Sequence, residues 1–370
     1  MYNTENCNPT LLYCSFIENS SGGYGSCGAM LNMWACSPII LHCEFRENRG
    51  RMGGVMANWD PGTNPVISHC TFINNRATKF CGVMRNNVGA KTTITNCLFQ
   101  GNSAGESTGA IFNYQSNSIF ENCNFKNNEA GVVGALSNIE SIPIIRNCIF
   151  ESNVADGRGG IAWPDGGGIH NKENSHPLLE NCIFIKNSAG RYGGGFFNLS
   201  GSNPIMRNCI FGKNTAGNEG GAIYNKSNGG EITLKNCTIS QNSAGNKGGG
   251  IFHEFTLPLT LINCIVWGNT APQGPQIRMG DNTVLKVSYC DIEGGQEDIY
   301  VSTGGTIEWG TGNIDEDPYF AAPNIADCHL QSQAGRWDPN DNSWVCDGVT
   351  SPCIDAGDPN GLYCDYAAEL

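Results

Sequence analysis

Eleven cysteines recur at near-constant spacing along this chain: Cys14, Cys43, Cys70, Cys97, Cys123, Cys148, Cys182, Cys209, Cys237, Cys264 and Cys290. The gaps between them are 29, 27, 27, 26, 25, 34, 27, 28, 27 and 26 residues. An asparagine stands five positions after each of the first ten, from Asn19 to Asn269. A phenylalanine stands two positions after each of the first eight, from Phe16 to Phe211, and Ile239, Val266 and Ile292 follow in that place. A period in the twenties marks a solenoid, in which each repeat is one turn of a coil and adjacent turns bury each other's apolar faces.

Two well-kept copies, NCIFGKNTAGNEGGAIYN (208–225) and NCTISQNSAGNKGGGIFH (236–253), show the unit. A short apolar run around Cys leads to a polar turn with Asn, then Gly-Gly, then a second short apolar run. Runs this short, bounded by Gly and Asn, predict strands, and no stretch sustains a helical period. Side chains alternate along a strand, so Cys and the residue two places on share a face. Stacked coils then build an interior column of free thiols beside a column of rings. The asparagines fall where the chain turns, where Asn tolerates left-handed backbone, and stacked amides bond from coil to coil. The glycines serve the corners, by tight packing or positive φ.

These segments resemble the right-handed parallel β-helix of the pectin-lyase-like superfamily over about residues 7–300. The NxxAxxGGAI wording resembles bacterial surface repeats such as the chlamydial polymorphic outer-membrane proteins. The expected fold is all-β: a single-stranded parallel β-helix of about 11 coils over residues 1–300, its right hand implied by the resemblance, with a small module over 301–370. In that module DPYF (317–320), CHLQSQ (328–333) and SPCIDAGDPN (351–360) resemble a choice-of-anchor module, which implies extracellular or cell-surface residence. Met1 is followed by polar residues with no apolar leader, and the module stops at AAEL, so the chain reads as a fragment with a truncated end.

The net charge of −13 argues against nucleic acid as a partner. No apolar run is long enough to span a bilayer. Of the 19 cysteines, eight lie outside the repeat: Cys7, Cys27, Cys36 and Cys81 near one end, Cys328, Cys346, Cys353 and Cys364 near the other. Disulfides are plausible there in an oxidising compartment. Cys27 and Cys81 are two coils apart, too far to pair. Cys328 and Cys353 lie inside two of the matching motifs, which suggests a staple between them.

The superfamily resemblance brings polysaccharide cleavage into view, by aspartate-held Ca²⁺ with a basic residue in lyases or by paired carboxylates in hydrolases. A site of that kind needs acids at matching positions in adjacent coils, and the acids after the second strand, Asp60, Glu140, Glu173 and Glu254, are scattered instead. The catalytic candidates are Arg158, Asp165 and His170, in the one irregular coil, whose extra residues fall within 154–176; an acid, a base and an aromatic there suit proton abstraction. The bland alternative is a surface bulge. Trp34, Trp59 and Tyr114 follow closely on the turn asparagine of the second strand, and with Trp163 they are candidates to stack on sugar rings, or else simply cover the coil edge. Asp315, Asp317, Asp355 and Asp358 are candidate Ca²⁺ ligands, or cap turns. His42 and His69 directly precede cysteines and read as outward or corner residues, and His253 replaces a turn asparagine.

The leading reading is a secreted or cell-surface β-helix adhesion or structural protein, with polysaccharide or surface proteins as partners. The alternative is a polysaccharide lyase or glycoside hydrolase working near 154–176. A structural spacer without a ligand is the third.

Overall fold

The computed structural model describes residues 1–23, 27–160, 162–229, 231–323, 327–339 and 341–359. Four parallel sheets run the length of a β-solenoid of about eleven coils. Sheet 1 has twelve strands, from Tyr2–Asn3 to Tyr300–Val301; sheet 2 has twelve, from Thr10–Leu12 to Thr306–Trp309; sheet 3 has eleven, from Ser15–Ile17 to Asp291–Ile292; sheet 4 has eight, from Arg49–Gly50 to Ser243–Ala244. Each strand pairs with the equivalent strand of the next coil, so like residues stack: Phe45, Phe72 and Phe99 are direct partners. The last strands of sheets 1 and 2 end at Val301 and Trp309. Two antiparallel hairpins follow, Phe320–Ala322 with Asp327–Leu330 and Arg336–Asp338 with Ser343–Val345.

The interior columns form as expected. The eight phenylalanine rings from Phe16 to Phe211 stack face to face at centroid separations from 4.6 to 4.9 Å, and Cys43 through Cys290 of the repeat are buried beside them. Each thiol has a polar role as well. The Cys43 amide donates to Cys70 Sγ at 3.3 Å, and Cys70 Sγ donates to the Ser68 carbonyl at 3.2 Å. No disulfide forms among the described residues. The Cys328–Cys353 staple is therefore not made: Cys353 Sγ instead donates to the buried Asp291 Oδ2 at 3.0 Å, which ties the C-terminal module to the last coil of sheet 3.

From Asn48 to Asn269, the asparagine five positions after the repeat cysteine is buried and points inward. It is the residue before it that adopts the left-handed backbone, as at Glu47 (φ 56°), Asn74 (φ 53°) and Gly101 (φ 65°). The inward carboxamides form an uninterrupted ladder. Asn75 Nδ2 donates to Asn102 Oδ1 at 3.0 Å and to the Phe45 carbonyl at 2.9 Å, while Asn102 Oδ1 also accepts the Asn75 amide at 2.9 Å. Three hydrogen bonds per coil satisfy these buried polar groups, in a site where each would be costly unpaired. A second left-handed residue precedes each repeat cysteine. There Asn96, Asn122, Asn147 and their successors form an outer ladder, and His42 and His69 occupy the same corner, stacked on each other at 4.9 Å.

The glycine pairs answer to close approach between coils. A Cβ on Gly109 would lie 1.9 Å from the Gly134 carbonyl oxygen, and one on Gly82 2.0 Å from that of Gly109.

Candidate functional site

The irregular coil leaves sheet 4 after Val154–Ala155, bulges through a 3-10 turn at Arg158–Gly160, and rejoins sheet 1 at Ile169–Lys172. Gly157, Gly159 and Gly160 carry positive φ, which lets the extra residues turn outward without disturbing the register on either side.

The structure gives Arg158, Asp165 and His170 three separate environments. Arg158 lies between Glu129, at 2.6 Å, and Asp156, at 2.6 Å; these partners push the guanidinium pKa up, and Arg158 in turn holds the Asp156 carboxyl below its usual range. Asp165 is buried and paired with Arg191, whose Nε donates to Oδ1 at 2.8 Å; burial pushes the carboxyl up against the pull of that guanidinium. His170 faces outward from sheet 1 yet is buried, stacked on Phe197 at 4.8 Å, and burial pulls its pKa down to about 3. Its Nδ1 has no hydrogen-bond partner. No hydrogen bond or ion pair joins any two of the three. An imidazole that stays neutral to about pH 3 is a weak base for proton abstraction near neutrality.

What the coil does assemble is an aromatic and cationic platform. The Arg191 guanidinium lies over the Trp163 ring at 4.3 Å and the Tyr192 ring at 4.4 Å, with Asp165 fixing its far edge. Trp163 is 61% exposed. Tyr192 stacks on Tyr224 at 4.6 Å, and His170, Phe197, Tyr224 and Phe252 make a continuous column on the outer side of sheet 1. This column was readable in GGGIH, GGGFF, GGAIY and GGGIF, where the position after the inward Ile or Phe is aromatic four times running. Arg191 carried no such signal, because its role depends on a ring in the preceding coil.

The other three aromatic candidates do not line up as one row. Trp59 and Tyr114 share a column of sheet 1 with Asn87 between them, whereas Trp34 lies one residue further along its coil, with Met33 in that column. Trp34 is exposed with a left-handed backbone; Trp59 is half-buried beneath Arg85, 5.3 Å from its ring.

Asp315, Asp317, Asp355 and Asp358 are not gathered: among the described residues no three His, Cys, Asp or Glu side chains are placed to hold a metal ion. Asp315 Oδ1 accepts the Gly294 amide at 3.0 Å and Asp317 Oδ1 that of Tyr319 at 2.8 Å, while Asp355 has left-handed backbone. The Asp358 amide donates to Asn263 Oδ1 at 2.9 Å, at the end of the outer asparagine ladder. No described helix is long and apolar enough to cross a membrane.

Residues 81–251 and 167–317 match a protein-family model described as a right handed beta helix region, and residues 296–357 match one described as disaggregatase related. The second match falls on the segment whose motifs resemble a choice-of-anchor module. Comparison with curated proteins and with solved structures returned no match.

Proposed function

The chain belongs to the right-handed β-helix family, and we propose that it is a surface or structural β-helix that binds polysaccharide without cleaving it, at the platform formed by Trp163, Arg191 and Tyr192. One observation carries the reading: Trp163 presents an open ring face that is held from behind by a guanidinium, itself locked by a buried carboxylate. A rigid ring loses little freedom on stacking against a sugar, and its apolar face suits the C–H face of a pyranose. The candidate acid and base are committed to internal partners or buried, which favours retention over turnover. Residence outside the cell, with polysaccharide or neighbouring surface proteins as partners, belongs to the same proposal, as does any contribution of Ca²⁺.

The test is a panel of neutral and acidic polysaccharides with and without Ca²⁺, followed for retention, unsaturated products and new reducing ends. We expect retention without cleavage, weakened about tenfold in Trp163→Ala, the scale of one aromatic stacking contact. Cleavage lost in Arg158→Ala or His170→Ala makes the chain an enzyme. No retention of any member overturns the binding reading.

A further inference from the structure

We infer that the outer face of sheet 2 is a homodimer interface, on which a second copy of this chain packs with its solenoid axis reversed.

The strands at the middle of this sheet are Ile119–Glu121, Ile144–Arg146, Leu178–Glu180 and Ile205–Arg207, in direct register. The middle residue of each points into the core: Phe120, Ile145, Leu179 and Met206 are fully buried. The first and third residues face out. The first form an aliphatic column, Ile119, Ile144, Leu178 and Ile205, whose end members are 37% and 41% exposed. Thr93 interrupts it toward the N-terminus, beyond which Val66 and Ile39 hold the same position and are also exposed. A row of aliphatic side chains left partly exposed along an ordered sheet marks an association surface.

The third residues say what the partner is. Glu121, Arg146, Glu180 and Arg207 alternate in sign up the coils. Inside the chain Glu180 serves both arginines, Arg146 at 2.7 Å and Arg207 at 3.6 Å. Glu121 makes no ion pair among the described residues, and the Arg207 side chain is 55% exposed. A two-fold axis in the interface plane, running along the strands midway between Arg146 and Glu180, keeps each column against itself and reverses the order of coils. It sets Glu121 opposite Arg207 of the second copy, and Arg146 opposite Glu180 of the second copy. The aliphatic columns meet face to face. Further out, Thr93 comes opposite Thr233 and Val66 opposite Thr260, and no like charges oppose each other along the strands from Ile39–Leu41 to Val284–Ser288. An axis parallel to the solenoid instead sets Glu121 against Glu121 where the charged columns meet. The pattern is self-complementary only when the copies run in opposite directions, as an isologous contact requires. Charge pairing of this kind sets register and excludes the wrong alignment, while the aliphatic column supplies the burial.

Sedimentation velocity on the full chain between roughly 1 and 100 µM, the range of a modest interface, tests this. We expect a concentration-dependent dimer. Glu121→Arg and Arg207→Glu, each of which places like charges opposite each other twice, should weaken it about tenfold or more. The double variant Glu121→Arg with Arg207→Glu restores opposite signs and should return to within about threefold of the parent. All these side chains face outward, and an unchanged circular dichroism spectrum verifies that the variants fold. The inference is overturned by a monomer at the top concentration, by single reversals without effect, or by a double variant no better than the singles. A monomer that retains a polysaccharide lost in Ile144→Asp assigns the stripe to that ligand and likewise overturns the dimer.

Discussion

The His253 ring occupies the rung that an asparagine holds in earlier coils of sheet 1: its Nδ1 meets Asn225 Nδ2 at 2.7 Å and its Nε2 meets the Leu257 carbonyl at 2.8 Å. With the amide donating to Nδ1, the ring must be neutral and carry its proton on Nε2. Burial accordingly pulls its pKa below the usual 6.5, as it does that of His170. Both groups are depressed in the folded chain, so the unfolded chain takes up protons first as pH falls. Stability is therefore full above about pH 6.5 and declines below it, for His170 down to about 3, by at most about 1.4 kcal/mol per pH unit per ring. Urea midpoints measured from pH 7.5 to 4.5 should fall. His253→Asn, which restores the amide rung, should flatten part of that slope. A slope identical in parent and variant would remove His253 from the account.

Phe125 lies at the centre of the ring column, 4.7 Å from Phe99 and 4.8 Å from Phe150. Phe125→Ala should cost about 3–5 kcal/mol, because the rings above and below are held by their own coils and cannot collapse into the space. Denaturant melts check this; a loss below about 1 kcal/mol would show that the stack relaxes freely.

The columns that this prediction rests on were legible in the sequence, because period, strand alternation and residue type all agreed at Cys, Phe and Asn. The asparagine corner was legible only in part. Asn74 and Asn75 are adjacent, and composition alone does not say which takes the left-handed backbone and which turns inward; the ladder bond to Asn102 decides it. The site was less legible still. Asp165 and His170 are near neighbours in sequence, but the first is claimed by Arg191 in the next coil and the second by the ring of Phe197. Contacts across coils depend on what stands about one repeat away, and the seven-residue excess in this coil hides that register.

Gly109 and Gly23 should respond oppositely to the same change. A methyl on Gly109 meets the Gly134 carbonyl at 1.9 Å, and because the neighbouring coil is backbone-paired there, it cannot withdraw. A methyl on Gly23 meets nothing within 4 Å. Gly109→Ala should abolish soluble expression or cost more than about 3 kcal/mol, whereas Gly23→Ala should be within about 0.5 kcal/mol of the parent. Thermal melts of the two variants side by side give the comparison. Equal effects would mean that the coils are not packed at the glycine corner as described.

Asp291 fastens the C-terminal module to the solenoid, accepting from Cys353 Sγ at 3.0 Å and from the Glu316 amide at 3.2 Å. Burial is the main reason its pKa rises from the ordinary 3.8 to about 6, with Asp315 and Glu316 adding to it. A carboxyl raised in the folded state favours folding when protonated, so its contribution is full below about pH 3.8 and is lost as pH rises through about 6. This is opposite in sign to the histidines, and it acts on docking of the segment around Cys353. The alkylation rate of Cys353, divided by that of the exposed Cys346 to remove the common pH dependence of thiol reactivity, should climb as pH passes about 6. In Asp291→Asn the amide keeps an acceptor for the thiol and has no charge to desolvate, so the ratio should stay low and level. A ratio level in the parent as well would show that the buried carboxyl does not govern how the module is held.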